Sequence, residues 1–179
     1  MRVPAAVIAL SVILPISALD TGKTYVVNQC DDPIHLWSVG GTVGPETVLN
    51  QNSTYIEPYH VDPVSDGVSM KVSLTSDGIS QPNISQAIFS YNLAEDRIFY
   101  NLSQVYSDLH GRTYSVIPTD TTCESIYGGG SKEPFQSPTQ NCTSSADITV
   151  TFCPRFCLSG GSKSFSLPAF RNTVSHSHV

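Results

Sequence analysis

The side chains best suited to chemistry in this chain fall in one short stretch: Glu57, His60, Asp62 and Asp66. Two carboxyls, or a carboxyl beside an imidazole, can pass a proton to and from a reacting group. His35, two residues before Trp37, and the acidic pair Glu95–Asp96 are further candidates. The spacing also has a plainer reading. Asp62 precedes Pro63 and Asp66 precedes Gly67, and Asp-Pro and Asp-Gly form turns for backbone reasons. A histidine in a strand is most often an ordinary half-exposed residue, and no Gly-x-Ser-x-Gly elbow presents an activated serine. No catalytic residue is assigned on this basis. Aromatic rings offer a different chemistry, stacking on the faces of sugars. Trp37, Tyr55, Tyr59, Phe89, Tyr91, Phe99 and Tyr100 form that set. Core packing is the default for most of them. Adjacent residues such as Phe99 and Tyr100 point to opposite faces of a strand, so one of each such pair faces outward. The candidate ligand contacts are Trp37, Glu57, Tyr59 and Asp62.

The elements that must hold these groups read as strands. Residues 24–28, 34–39, 53–59, 86–91, 97–101, 114–117 and 147–152 are rich in β-branched and aromatic types. Val68, Met70, Val72 and Leu74 alternate with Ser69, Lys71 and Ser73, the period of a half-buried strand. In the last strand Ile148, Val150 and Phe152 are expected to face inward. Gly-Pro, Asp-Pro and Asp-Gly pairs punctuate the intervals. No stretch of about twelve residues keeps a helical period, and residues 102–110 could form one or two turns at most. Short strands at this spacing make an all-β sandwich. Residues 118–145 carry three consecutive glycines and little strand signal, so a long surface loop is expected there, in need of a tether.

Composition limits what such a body can do. Hydrophobic residues make up 40% and charged residues 13%, the balance of a packed core rather than a disordered tail. Residues 19–153 hold five basic and fifteen acidic groups, a net −10, whereas residues 154–179 hold three basic groups and no acid. A body of that charge repels phosphate backbones, which excludes nucleic acid as a partner. Residues 1–18 read as a signal peptide, with Arg2 before an apolar run and a small residue at Ala18. That run is too short to span a bilayer, and no membrane insertion is expected. The division is therefore leader 1–18, domain 19–153 and a flexible Ser/Gly-rich tail 154–179. Asn52, Asn83, Asn101 and Asn141 each open an Asn-x-Ser/Thr sequon, as an exported glycoprotein would.

Five cysteines cannot all pair within one chain. Cys123 and Cys142 bracket the strandless loop, and joining them would supply its tether. Cys30 follows the first strand and Cys153 the last, so a second bridge would tie the two ends of the sandwich. Cys157 is left over, free or exchanging with Cys153. A zinc site lacks its second pair of ligands, and no metal or cofactor is assigned.

Several motifs resemble a known family. Val27-Asn28-Gln29-Cys30 and Ile34-His35-Leu36-Trp37-Ser38-Val39-Gly40 are similar to the opening of fungal secreted thaumatin-like proteins, in particular the Blastomyces yeast-phase-specific protein family. Residues 55–59 with Asp62-Pro63, residues 67–72, Phe99-Tyr100-Asn101-Leu102-Ser103 and the turn at 118–123 continue the likeness, which spans about residues 24–153. The resemblance implies a thaumatin-like antiparallel β-sandwich with few disulfides, among them an end-to-end bridge. Larger members of that class include β-1,3-glucanases and glucan binders with an acidic cleft. Their two cleft acids fall on Ser90 and Asn101 here, and neither side chain can carry the proton that glycosidic hydrolysis needs. The reading is a secreted, N-glycosylated, non-catalytic protein of the cell surface or medium. Its expected partners are cell-wall polysaccharide or a host component, with an antigen-like role as a further possibility. The alternative is a glucan-degrading enzyme with rearranged acids.

Overall fold

Alternating Val68, Met70 and Val72 are all buried, and the strand that carries them runs through the middle of a large sheet. The computed structural model describes residues 21–106, 109–131 and 133–155. The expected leader, Cys157 and the tail beyond Arg155 lie outside the described residues. Twelve strands are present: β1 (Lys23–Asn28), β2 (Ile34–Val39), β3 (Thr47–Leu49), β4 (Thr54–Pro58), β5 (Gly67–Ser73), β6 (Gln86–Ala94), β7 (Arg97–Val105), β8 (Thr113–Pro118), β9 (Ile126–Gly129), β10 (Phe135–Gln136), β11 (Gln140–Thr143) and β12 (Ile148–Phe152). No described residue is helical.

The strands form two sheets. One has five strands in the order β4-β1-β12-β8-β9; the other runs β10-β7-β6-β5-β2-β3, with β11 also paired to β7. Every pairing of named strands is antiparallel except one. The two chain-end strands, β1 and β12, lie side by side in parallel, from Thr24 opposite Ile148 to Asn28 opposite Phe152. Just past that last pair, Cys30 and Cys153 are disulfide-bonded, with Cα atoms 5.0 Å apart. Lys23 and Pro58 mark the other pole of the sandwich.

The core forms where the inner faces meet. Val26, Tyr114, Val116, Ile148, Val150 and Phe152 come from the smaller sheet, and Leu36, Met70, Phe89, Tyr91, Tyr100 and Leu102 from the larger. Burying side chains of this size removes apolar surface from water, worth about 1.5–3 kcal/mol each. A polar tie crosses the layer: the Tyr114 hydroxyl donates to buried Gln104 Oε1 at 2.9 Å.

Two expectations from the sequence need correction. Residues 102–105 are not helical but the second half of β7, because Leu102 and Gln104 continue the inward alternation of Ile98 and Tyr100. Residues 118–145 are not a bare loop. They hold β9, β10 and β11, the last two lying end to end along β7, with Ser137, Pro138 and Thr139 between them. There the Ser137 amide donates to the Leu102 carbonyl, and the Leu102 amide donates to Ser137 Oγ. An edge position tolerates the missing N–H of Pro138. Cys123 and Cys142 are bonded, which closes this segment onto β11 and so onto β7, the strand β11 pairs with.

Candidate functional site

The pole at Lys23 and Pro58 gathers the polar chemistry. On β4, Tyr55 and Glu57 face inward while Ile56 faces out. Glu57 thereby reaches Ser38 of β2, which belongs to the opposite sheet. Its Oε1 accepts from Ser38 Oγ at 3.1 Å and its Oε2 from the Tyr55 hydroxyl at 2.5 Å. His60 Nδ1 lies 3.7 Å from Oε1 and 3.4 Å from the Tyr91 hydroxyl. The Glu57 side chain is 14% exposed and that of His60 50% exposed, so the carboxylate sits behind an open rim. Burial, then the hydrogen bond to Glu57, pushes the Tyr55 hydroxyl up to about 12. Burial and the Glu57 charge raise Tyr91 as well. Both phenols therefore stay protonated and donate hydrogen bonds at physiological pH.

Asp62 stands at the same pole with a different task. Its Oδ1 accepts from the Val64 and Ser65 amides, each at 2.9 Å, and from Ser65 Oγ at 3.0 Å. Hydrogen bonds from the Ser65 and Val64 amides hold its carboxyl down at about 2. A carboxylate so saturated organises its loop and is no proton donor. It also leans on the β2–β3 loop: a β-carbon at Gly40 would stand 2.2 Å from Asp62 Oδ2, so this close approach needs glycine.

The other two expected ligand contacts are buried. Trp37 is 3% exposed; it pairs in register with Lys71 and stacks on His35 at 6.5 Å between ring centroids. His35 in turn meets Glu46 at 2.5 Å, and Glu46 also accepts from the Asp77 amide at 3.2 Å. Tyr59 is 4% exposed, donates its hydroxyl to the Ala146 carbonyl at 3.0 Å and packs against Tyr91. Neither ring offers a face to a sugar, so the expectation for Trp37 and Tyr59 is corrected. Strand alternation could not anticipate this, because His35 lies over Trp37 on the outer side of the sheet.

Ser90 and Asn101, on consecutive strands of the β6–β7 hairpin, are direct cross-strand partners on the outer face of the large sheet. Ser90 Oγ lies 2.8 Å from Ser69 Oγ in the same row. Asp66 and Glu95 occupy turn conformations with φ of 60° and 54°, in keeping with turn chemistry. Among the sequons, Asn52 and Asn83 are exposed in turns, Asn141 is exposed on β11 and Asn101 is half-buried on β7. Asp120 lies near the sulfurs of Cys123 and Cys142, but those sulfurs are joined to each other and are not thiolate ligands. Reasoning from sequence missed Ser38 and the Tyr91 hydroxyl as partners of this pole, and nothing in their local spacing links them to Glu57.

A two-layer body of strands, stapled by disulfides and carrying this polar pole, is a thaumatin-like β-sandwich. The chain belongs to the Blastomyces yeast-phase-specific protein family, whose family model matches residues 11–154. It is 26% identical over 162 residues to the secreted thaumatin-like protein calA of Emericella nidulans, covering 82% of this chain and 92% of that one. Like that relative, it is a secreted protein. Among solved structures it is similar to the protein elicitor MoHrip2 from Magnaporthe oryzae, with a TM-score of 0.55, 20% identity, and coverage of 74% of this chain and 99% of that one. It is also similar to the thaumatin-like xylanase inhibitor TLXI, with a TM-score of 0.50, 12% identity, and coverage of 73% and 99% respectively.

Proposed function

We propose that this secreted protein works as a non-catalytic binding protein and that its Glu57 pole contacts cell-wall polysaccharide. The observation that carries this reading is the composition of the hydrogen-bonded cluster. One carboxylate, Glu57, is surrounded by the hydroxyls of Ser38, Tyr55 and Tyr91 and by the imidazole of His60. Such a ring of donors and acceptors matches sugar hydroxyls. Glycosidic cleavage needs more: two carboxyls about 5–9.5 Å apart, one of them holding a proton. Asp62 is committed to its own loop, and the motif resemblance puts Ser90 and Asn101 at the positions of the cleft acids of larger thaumatin-like proteins. The fold is also that of a protein elicitor and of a xylanase inhibitor, so it serves roles other than hydrolysis. N-glycosylation at the sequons belongs to the same reading.

Sedimentation with insoluble β-1,3-glucan tests the proposal. The intact protein is expected to pellet with the glucan, and Glu57→Gln to weaken retention about tenfold, since hydrogen bonds to a charged group are worth about 1.5–3 kcal/mol. Retention no better than that of serum albumin would remove the glucan reading. Release of reducing sugar from laminarin by a clean preparation, abolished in Glu57→Gln, would replace it with a hydrolase.

A further inference from the structure

Phe99 is an apolar ring in a polar neighbourhood. It is 39% exposed on the outer face of the large sheet, although its strand neighbours Ile98 and Tyr100 are fully buried. Its cross-strand partners are Asn92 on β6 and Asn141 on β11, and two residues away on its own strand stand Arg97 and Asn101. The core gains nothing from a ring placed there.

Asn141 opens the sequon Asn141-Cys142-Thr143. Within β11 the period of two sends Asn141 and Thr143 to one face and buries Cys142, whose sulfur is bonded to Cys123. Asn141 is exposed, and among the described residues β11 pairs with no strand but β7, which leaves the sequon on an edge. Arg97 Nη2 donates to Asn141 Oδ1. The amide oxygen is thus the atom that faces Arg97, and the nitrogen, which carries an attached sugar, faces away from it. Directly opposed residues in an antiparallel pair have β-carbons about 4.5–5.5 Å apart. A sugar on Asn141 therefore starts within reach of the Phe99 ring.

We propose that Asn141 carries an N-glycan whose innermost N-acetylglucosamine packs its C–H face on Phe99. Attachment transfers the oligosaccharide from a lipid-linked diphosphate donor: the C1–O bond to phosphate breaks, the bond from C1 to Asn141 Nδ2 forms, and that nitrogen gives up one proton. Stacking then covers apolar surface that the bare protein leaves in water. The inference rests on the export and N-glycosylation included in the proposed function. It adds that the face bearing Ser90 and Asn101 is covered by the protein's own sugar.

The test uses the full chain secreted from a yeast host, with four forms: unaltered, Asn141→Gln, Phe99→Ala and the double variant. Thermal midpoints are compared, and glycopeptide mass spectrometry reads which sequons are occupied. Loss of the glycan in Asn141→Gln is expected to lower Tm by about 3 °C, the shift that a stabilisation near 1 kcal/mol gives a chain of this size. In the Phe99→Ala background the same loss should move Tm by less than about 1 °C. Phe99→Tyr should restore the coupling, and trimming the glycan to a single sugar should keep it. An equal shift in both backgrounds overturns the stacking. Sugar at other sequons but none at Asn141 overturns this inference and leaves glycosylation of the protein standing. Absence of sugar at every sequon overturns both.

Discussion

Replacing both Cys30 and Cys153 by alanine is expected to cost more stability than replacing both Cys123 and Cys142. The bridge closes a loop with a sequence separation of 123, whereas Cys123–Cys142 closes one of 19. Restricting the unfolded chain by such loops is worth about 4.9 and about 3.2 kcal/mol respectively in the chain-entropy relation, a difference of about 1.7 kcal/mol. Against a total of about 5–15 kcal/mol for a typical domain, the longer loop supplies a large share. The structure adds a second reason for the ranking. The Cys30–Cys153 bond sits just beyond the parallel β1–β12 pair, so its loss lets both chain ends fray from the middle of a sheet. Urea unfolding followed by fluorescence measures both costs, because the single tryptophan, Trp37, is buried in the native state. Both double variants should be made with Cys157→Ser, so that no spare thiol exchanges with a remaining bridge. If removal of the Cys30–Cys153 bridge costs no more than removal of the Cys123–Cys142 bridge, the reasoning from loop length and terminal closure is wrong.

Other perturbations probe single sites. Gly129 has φ of +83°, and an added β-carbon would stand 2.1 Å from the Arg112 carbonyl oxygen. Gly129→Ala should therefore destabilise by about 1–3 kcal/mol in the same urea assay, and an unchanged midpoint would contradict the geometry. The Tyr55 hydroxyl has its folded-state value raised from 10.0 to about 12. The stability tied to its neutral form is present below pH 10 and is lost as pH rises toward 12. Tyr55→Phe should be less stable than the unaltered protein below pH 10, for want of the hydrogen bond to Glu57. It should also lack the loss of stability between pH 10 and about 12, read by circular dichroism. Glu46 behaves in the opposite sense. Its hydrogen bond with His35 lowers its value from 4.5, so the stability it contributes is present above pH 4.5 and is lost as pH falls through the lowered value. An acid transition in Trp37 emission should appear below pH 4.5 and disappear in Glu46→Gln.

The strands were legible wherever burial alternates on one face. Val68, Met70 and Val72, and Ile148, Val150 and Phe152, all point inward as their period requires, and Phe99 faces out where Tyr100 faces in. Ser90 and Asn101 are cross-strand partners of the β6–β7 hairpin, whose turn at 92–96 the sequence also marked. What stayed hidden depended on partners remote in the chain. Parallel pairing of β1 with β12 leaves no local mark, since the same residues would serve an antiparallel neighbour. Strands β10 and β11 are short and carry only Phe135 and Thr143 as strand-favouring types beside glutamine and asparagine; the open edge of β7, more than their own propensity, makes them strands. The Glu57 pole was half legible. Glu57 and His60 stood out by type, but Ser38 and Tyr91 arrive from the other sheet. Whether Trp37 is covered depends on His35 and on what packs around it, which alternation does not encode.

The sulfur link between the chain ends has a mechanical corollary. Tension applied at residue 21 and at residue 155 runs along β1 only to Cys30, crosses to Cys153 and leaves the molecule. Everything enclosed between those two cysteines is bypassed by the load path, including the Glu57 pole and the whole seven-stranded sheet. A protein held by its two ends in a stretched wall or an adhesive film would yield first at β1, and with it at β4, whose sheet partner is β1, while the covalent load never reaches the seven-stranded sheet.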